Sequence, residues 1–161
     1  VDRADHLGQP VTVIARATLA DAETWAILRQ ALWPSGGDTG THADDIARLL
    51  ADPGDTVNLI ARDETDEAVG FAEASLRHDY VNGTESSPVA FLEGIYVEPA
   101  FRRTGVARQL VQAVEDWAKL AGCSELASDT DIANVASQQL HNALGFSETQ
   151  RVVYFRKLLG S

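Results

Sequence analysis

Methionine is absent from this chain, even at the first position. Residues 1–10 are therefore set aside as a tail, trimmed or partly foreign to the natural chain. There is a single cysteine, Cys123. It excludes an internal disulfide, and a bacterial-type cytoplasmic location is the default expectation. No apolar run approaches the length that crosses a membrane, and no signal-peptide pattern opens the chain. Basic residues are scarce: 13 Lys and Arg stand against 24 Asp and Glu, a net charge of −11. Such a field repels nucleic acid and draws in cations, although solubility alone is the blander reason for it. Repeats, low-complexity segments and interdomain linkers are also missing. What remains is an ordinary globular composition in 161 residues, enough for one domain with a real core.

One stretch organises the rest. Phe91 to Val97 is an apolar run rich in β-formers, so a buried strand. Pro99 ends it by removing an amide. From Val106 onward, Leu110, Val111, Val114, Trp117, Ala118 and Ala121 recur at helical spacing. Between strand and helix lies a basic loop, Arg102-Arg103-Thr104-Gly105-Val106-Ala107, with Arg108 just inside the helix. The first turn of a helix presents unpaired amides and the positive end of its dipole. Gly105 lets a ligand approach the backbone, and the arginines add charge. The combination suits a pyrophosphate. A loop of solvated arginines is the competing reading, since short glycine motifs have many false positives.

The pattern Arg102-x-x-Gly105-x-Ala107 between strand and helix resembles the acetyl-CoA motif of GNAT-type N-acetyltransferases. A second element agrees: Asn134 opens a helical stretch ending in Leu144-Gly145-Phe146. Further runs resemble aminoglycoside 6'-N-acetyltransferases in particular. These are Leu32-Trp33-Pro34, Arg77 through Gly83, Phe91-Leu92-Glu93-Gly94, and Ala127-Ser128-Asp129-Thr130. The likeness extends from about Ala17 to Lys157. It implies an α/β (α+β) GNAT fold over residues 11–161: a mixed, mostly antiparallel sheet of about six to seven strands with about four helices. Acetyl-CoA would lie at a splayed central strand, its pantetheine arm paired with the backbone of Ile95, Tyr96 and Val97. The acceptor implied is a cationic aminoglycoside, and the subgroup is often dimeric, sometimes by exchange of C-terminal strands. No metal is expected, since His6, His42 and His78 lack ligand spacing.

Read in order, 11–16 alternates as a first strand, and a helix follows from Thr18 to Leu32 with Trp25, Ile27, Leu28, Ala31 and Leu32 on its apolar face. Thr41 with Asp44 opens a second helix through Leu50. Asp38, Asp44 and Asp45 read as solvated or helix-start charges, while the resemblance places their region near the acceptor. Strands at 57–62 and 68–76 form a hairpin. The loop 79–88 is long and polar, hence functional or mobile. A short strand at 123–128, a helix through Leu144 capped by Asp131 or Asn134, and a closing strand at 149–158 complete the chain.

Acetyl transfer needs a neutral amine, a stabilised thioester oxygen and aligned reactants. Glu93 is the only acid in the central apolar run, so it is partnered or faces a cleft. It is the preferred catalytic base or water-positioner; Asp129, at the end of the adjoining strand, is the second candidate for base and the preferred substrate carboxylate. The resemblance places Trp33 and Tyr80 beside the acceptor; core packing competes for Trp33 and plain exposure for Tyr80. Asn134 serves the cofactor, the helix cap or both. There are two departures from the family pattern. His141 stands where many of these enzymes carry a tyrosine acid, and it is a proton donor or simply a packed residue. Gln150 stands where an acidic substrate contact is expected. Cys123 is read as structural. The alternatives are acetylation of another cationic amine, such as a polyamine or protein N-terminus, and a non-catalytic module that binds CoA or aminoglycoside.

Overall fold

The computed structural model describes residues 12–160. The expected tail at 1–10 and the first residue of the expected opening strand lie outside them. The order of elements is β1 (Val13–Arg16), α1 (Ala22–Leu32), α2 (Thr39–Ala51), β2 (Thr56–Arg62), β3 (Ala68–Arg77), β4 (Val89–Val97), α3 (Val106–Leu120), β5 (Leu126–Ala127) and α4 (Val135–Ala143). The five strands form one sheet in sequence order; all neighbours are antiparallel except β4 and β5, which run parallel.

Alternation along the strands builds a core on each face. Val57, Leu59 and Ala61 of β2 point toward α3 and meet Val106, Leu110, Val111 and Val114. Ile60 and Phe71 point the other way and pack with Trp25, Leu28 and Ile46 from α1 and α2. Each such large side chain, fully buried, contributes on the order of 1.5–3 kcal/mol. The α1 face differs in detail from the periodicity. Ile27 is 54% exposed, and Arg29 is buried in its place. Asp38 caps α2, its carboxylate accepting from the Thr41 amide at 2.9 Å. The helix therefore begins ahead of Thr41, and Thr41 serves inside its first turn.

Two irregularities position the site. In the β3–β4 ladder, Glu73 pairs with Gly94 but Ala74 pairs with Leu92. Glu93 is the extra residue of a bulge, which bends the strand and re-aims the side chain. On the other side of β4, β5 pairs only at Ala90 and Phe91. Among the described residues, no strand pairs with that edge of β4 from Leu92 onward.

Among the described residues five strands form where about six to seven are expected. The missing one is the closing strand at 149–158. It carries no regular secondary structure, and Val153, Tyr154 and Phe155 are exposed. A strand is completed by a partner's amides and carbonyls, and period-two patterning alone does not supply one.

Candidate active site

The open edge of β4 runs between two differently charged ends. At its C-terminal end stands the loop leading into α3. Arg103 (φ 62°) and Gly105 (φ 90°) are left-handed, the kind of backbone that curls amides into an anion-holding concavity. Gly105 caps α3 with no side-chain cap bond, and the first turn holds no acid. The orphan amides there are thus free to face an anion. A Cβ on Gly105 would meet nothing within 4 Å, so the space beside it is open. These features fit a pyrophosphate. The arginines divide their work. Arg102 donates from Nε to the Val97 carbonyl at 3.0 Å and lies over the Tyr96 ring. Arg108 donates to the Ala143 carbonyl at 2.8 Å and ties α3 to α4. Arg103 is exposed beside them. Thr104 donates its hydroxyl to the Phe101 carbonyl, while Val106 is buried in the core.

Beyond the bulge lies a cleft of about 520 Å³ lined by Arg29, Trp33, Asp45, Arg48, Glu73 and Glu93, among others. Trp33 is pressed edge-on against the bulge: a Cβ on Gly94 would sit 2.3 Å from its Cζ2. Glu93 is both partnered and cleft-facing. Ser75 Oγ donates to its Oε1 at 2.6 Å, and Arg77 Nη2 reaches both carboxylate oxygens at 3.0 Å. Arg77 is itself laid over the Phe91 ring.

A family model described as "Acetyltransferase (GNAT) family" matches residues 23–146. The chain belongs to the GNAT acetyltransferase family. It is 56% identical over 138 residues to an aminoglycoside N(6')-acetyltransferase type 1 of Serratia marcescens, covering 86% of this chain and 93% of that protein. A namesake from Stenotrophomonas maltophilia is 52% identical, with 89% and 91% covered. Among solved structures, the aminoglycoside antibiotic 6'-N-acetyltransferase AAC(6')-Ih of Acinetobacter baumannii superposes with a TM-score of 0.88 at 44% identity, over 93% of this chain and 100% of that one. AAC(6')-Iy, in complex with the bisubstrate analogue CoA-S-monomethyl-acetylneamine, gives 0.85 at 46%, over 92% and 99%.

The remaining sequence-derived candidates of this acetyltransferase do not line that cleft; they lie on the loop after β3, past β5, on α4 and in the C-terminal run. Ser128 Oγ lies 3.4 Å from the Leu92 carbonyl and 2.8 Å from His141 Nε2. That holds the exposed Asp129 just past β5, beside the bulge of Glu93. His141 Nδ1 donates to the Ser137 carbonyl at 2.7 Å, so Nε2 is left to accept from Ser128. Both ring nitrogens are engaged, and the ring packs on Phe146. Asn134 caps α4, accepting from the Ser137 amide at 3.0 Å. Tyr80 is 76% exposed on the loop after β3. That loop is fixed by Glu125, whose Oε1 accepts from the Glu85 and Ser86 amides and the Ser86 hydroxyl. Thr149 packs against Gly83 of the same loop, which brings the exposed Gln150 to its rim. Cys123 is buried and free.

Glu73 and Arg29 line the cleft without having been marked by motif or spacing; Asp45, read from the sequence as a solvated or helix-start charge, lines it with them. Trp25 Nε1 donates to Glu73 Oε2 at 3.0 Å, and Arg29 Nε lies 3.2 Å from the same oxygen. Burial pushes the Glu73 carboxyl upward, opposed by the Arg29 charge and the indole N–H. A signal was present. Glu73 is an acid inside an apolar strand, the same feature that singled out Glu93.

Proposed function

We propose that this chain transfers the acetyl group of acetyl-CoA to the 6'-amine of aminoglycosides, by direct attack in a ternary complex. One observation carries the reading: the free edge of β4 connects an anion-fitted loop at one end to an acidic cleft at the other. Acetyl-CoA supplies an activated acyl carbon and a thiolate leaving group. The chain's own residues do the rest. The loop amides from Arg103 to Ala107 hold the pyrophosphate, and the backbone of Ile95, Tyr96 and Val97 aligns the pantetheine arm. A free β4 amide is placed to stabilise charge on the thioester oxygen. Four carboxylates against two arginines line the cleft and favour a polycation. Trp33 offers its indole to a sugar ring, and Tyr80, Asp129 and Gln150 complete the rim. Glu93 takes the amine proton, directly or through a water that it positions. Its clamp by Arg77 fixes where that oxygen points. His141, with both nitrogens bonded, serves to hold Ser128 and the Asp129 turn. The departing thiolate needs no acid near pH 8.

The assay is CoA thiol release with kanamycin, run beside paromomycin, which carries a hydroxyl at the 6' carbon. Turnover with kanamycin alone is expected. Turnover with both would move the target amine elsewhere on the drug. Ligand binding without thiol release would favour a non-catalytic binding module. We further propose a homodimer in which residues 149–158 complete a sheet with the second copy. The exposed apolar run there and the unpaired side of β5 support it. A cytoplasmic location is supported by the free thiol of Cys123. Among the described residues, no helix is long and apolar enough to cross a membrane.

A further inference from the structure

We propose that Glu73 is a positioning residue for the acceptor: it holds Arg29 against the Trp33 indole and cancels the guanidinium's charge at the cleft wall. The inference rests on the aminoglycoside reading above and gives Glu73, counted there only among the cleft's carboxylates, a role of its own.

A continuous chain of contacts connects β3 to the bulge of β4. Glu73 stands opposite Gly94 in the ladder. Its side chain turns toward α1, where Trp25 and Arg29, one helical turn apart, share its Oε2. A further turn on is Trp33, with Arg29 Cζ 5.1 Å from the centre of its ring. Trp33 then closes the circuit by packing on Gly94. From α2, Asp45 approaches Arg29 Nη1 at 3.8 Å.

The nature of the Arg29 contacts matters. Nε and Nη1 are buried, yet neither makes an aligned hydrogen bond; the N–H directions miss their acceptors. Arg29 is held by charge and by stacking. A guanidinium keeps its proton in any protein environment, so its charge must be balanced on site. Left unbalanced in the cleft wall, it would repel an approaching ammonium. A buried ion pair is poor evidence of stability, since apolar replacements often serve as well. Its position against the surface that would receive the amine gives it a functional reason.

Glu73→Gln keeps the shape and an acceptor oxygen for Trp25 but leaves Arg29 with only the more distant Asp45 carboxylate, at 3.8 Å, to balance its charge. The expected result is a rise of about tenfold in KM for kanamycin, a smaller change in kcat, and an unchanged KM for acetyl-CoA. The double variant R29M/E73Q removes both charges, and a thioether packs well on an aromatic ring. It should bring the kanamycin KM back to within about threefold of the starting value. The double variant buries no unpaired charge, so it remains informative if E73Q folds poorly. An unmoved kanamycin KM in E73Q, or a double variant as weak as the single, would overturn the inference while the acceptor assignment stands. No kanamycin turnover by the unmutated enzyme would overturn both.

Discussion

Trp33 and Gly94 show how one missing methyl group makes a binding wall. The indole edge occupies the place where a Cβ would stand, with contacts of 2.3 and 2.6 Å to Cζ2 and Cη2. Gly94→Ala must therefore displace Trp33, with a cost of about 1–3 kcal/mol for the overpacked contact. KM for the aminoglycoside should rise more than KM for acetyl-CoA, because the loop that holds the pyrophosphate lies at the far end of β4. Steady-state kinetics in both substrates checks this. Glu93 is the complementary case. Glu93→Gln keeps the size of the side chain and an oxygen for Ser75 and Arg77 but removes the proton acceptor. The expectation is a loss in kcat of about 10²-fold or more with acetyl-CoA affinity, read by calorimetry, unchanged. Wild-type turnover would remove Glu93 from the chemistry.

At the scale of elements, α3 and the loop before it act as a unit. The helix begins at a left-handed residue, φ 90° at Gly105, where a side chain is strained. Gly105→Asp adds that strain and places a carboxylate where the pyrophosphate is to lie. Acetyl-CoA binding should be abolished, and unchanged affinity would refute the pyrophosphate assignment. The loop after β3 depends on one carboxylate. Glu125 is held below its ordinary value of 4.5, first by the Ser86 hydroxyl and then by the Glu85 amide. A depressed carboxylate stabilises the fold above its unfolded value, and that stability is lost as pH falls through the folded value. Glu125→Ala should thus be less stable than the parent at neutral pH. The gap should close as denaturation is repeated at decreasing pH below 4.5. A gap independent of pH would mean the carboxylate charge is not what holds the loop.

For the whole molecule, the unmet requirement is the C-terminal run. Tyr154 and Phe155 are 80% and 92% exposed, and large apolar side chains clustered in the open are one mark of a protein–protein contact, which is the basis of the proposed dimer. Size-exclusion chromatography with light scattering should give a dimer. A chain ending at residue 149 should be monomeric and keep its acetyl-CoA affinity, since the cofactor loop is built from β4 and α3 alone. A monomer before truncation would exclude the exchange of strands. Net charge acts at this scale too. The molecule carries −11 overall, so the basic loop works locally against a field that favours the cationic substrate.

The sequence by itself determined the elements with strong periodicity or punctuation. Val106 to Leu120 is a helix because its apolar residues recur on one stripe, and Asn134 and Gly105 mark helix starts by local backbone chemistry. The loop motif and Glu93 were legible for the same reason: each is a departure from its immediate neighbours. Tertiary structure alone decided what depends on neighbours distant in the chain. The bulge that re-aims Glu93 exists only in the register of β4 against β3. Arg29 reads as the polar side of an amphipathic helix, yet it is buried, because a carboxylate 44 positions away meets it (73 − 29). Val152 to Phe155 has a strand's pattern and remains unpaired, because period-two alternation specifies a face and leaves the partner to the rest of the fold.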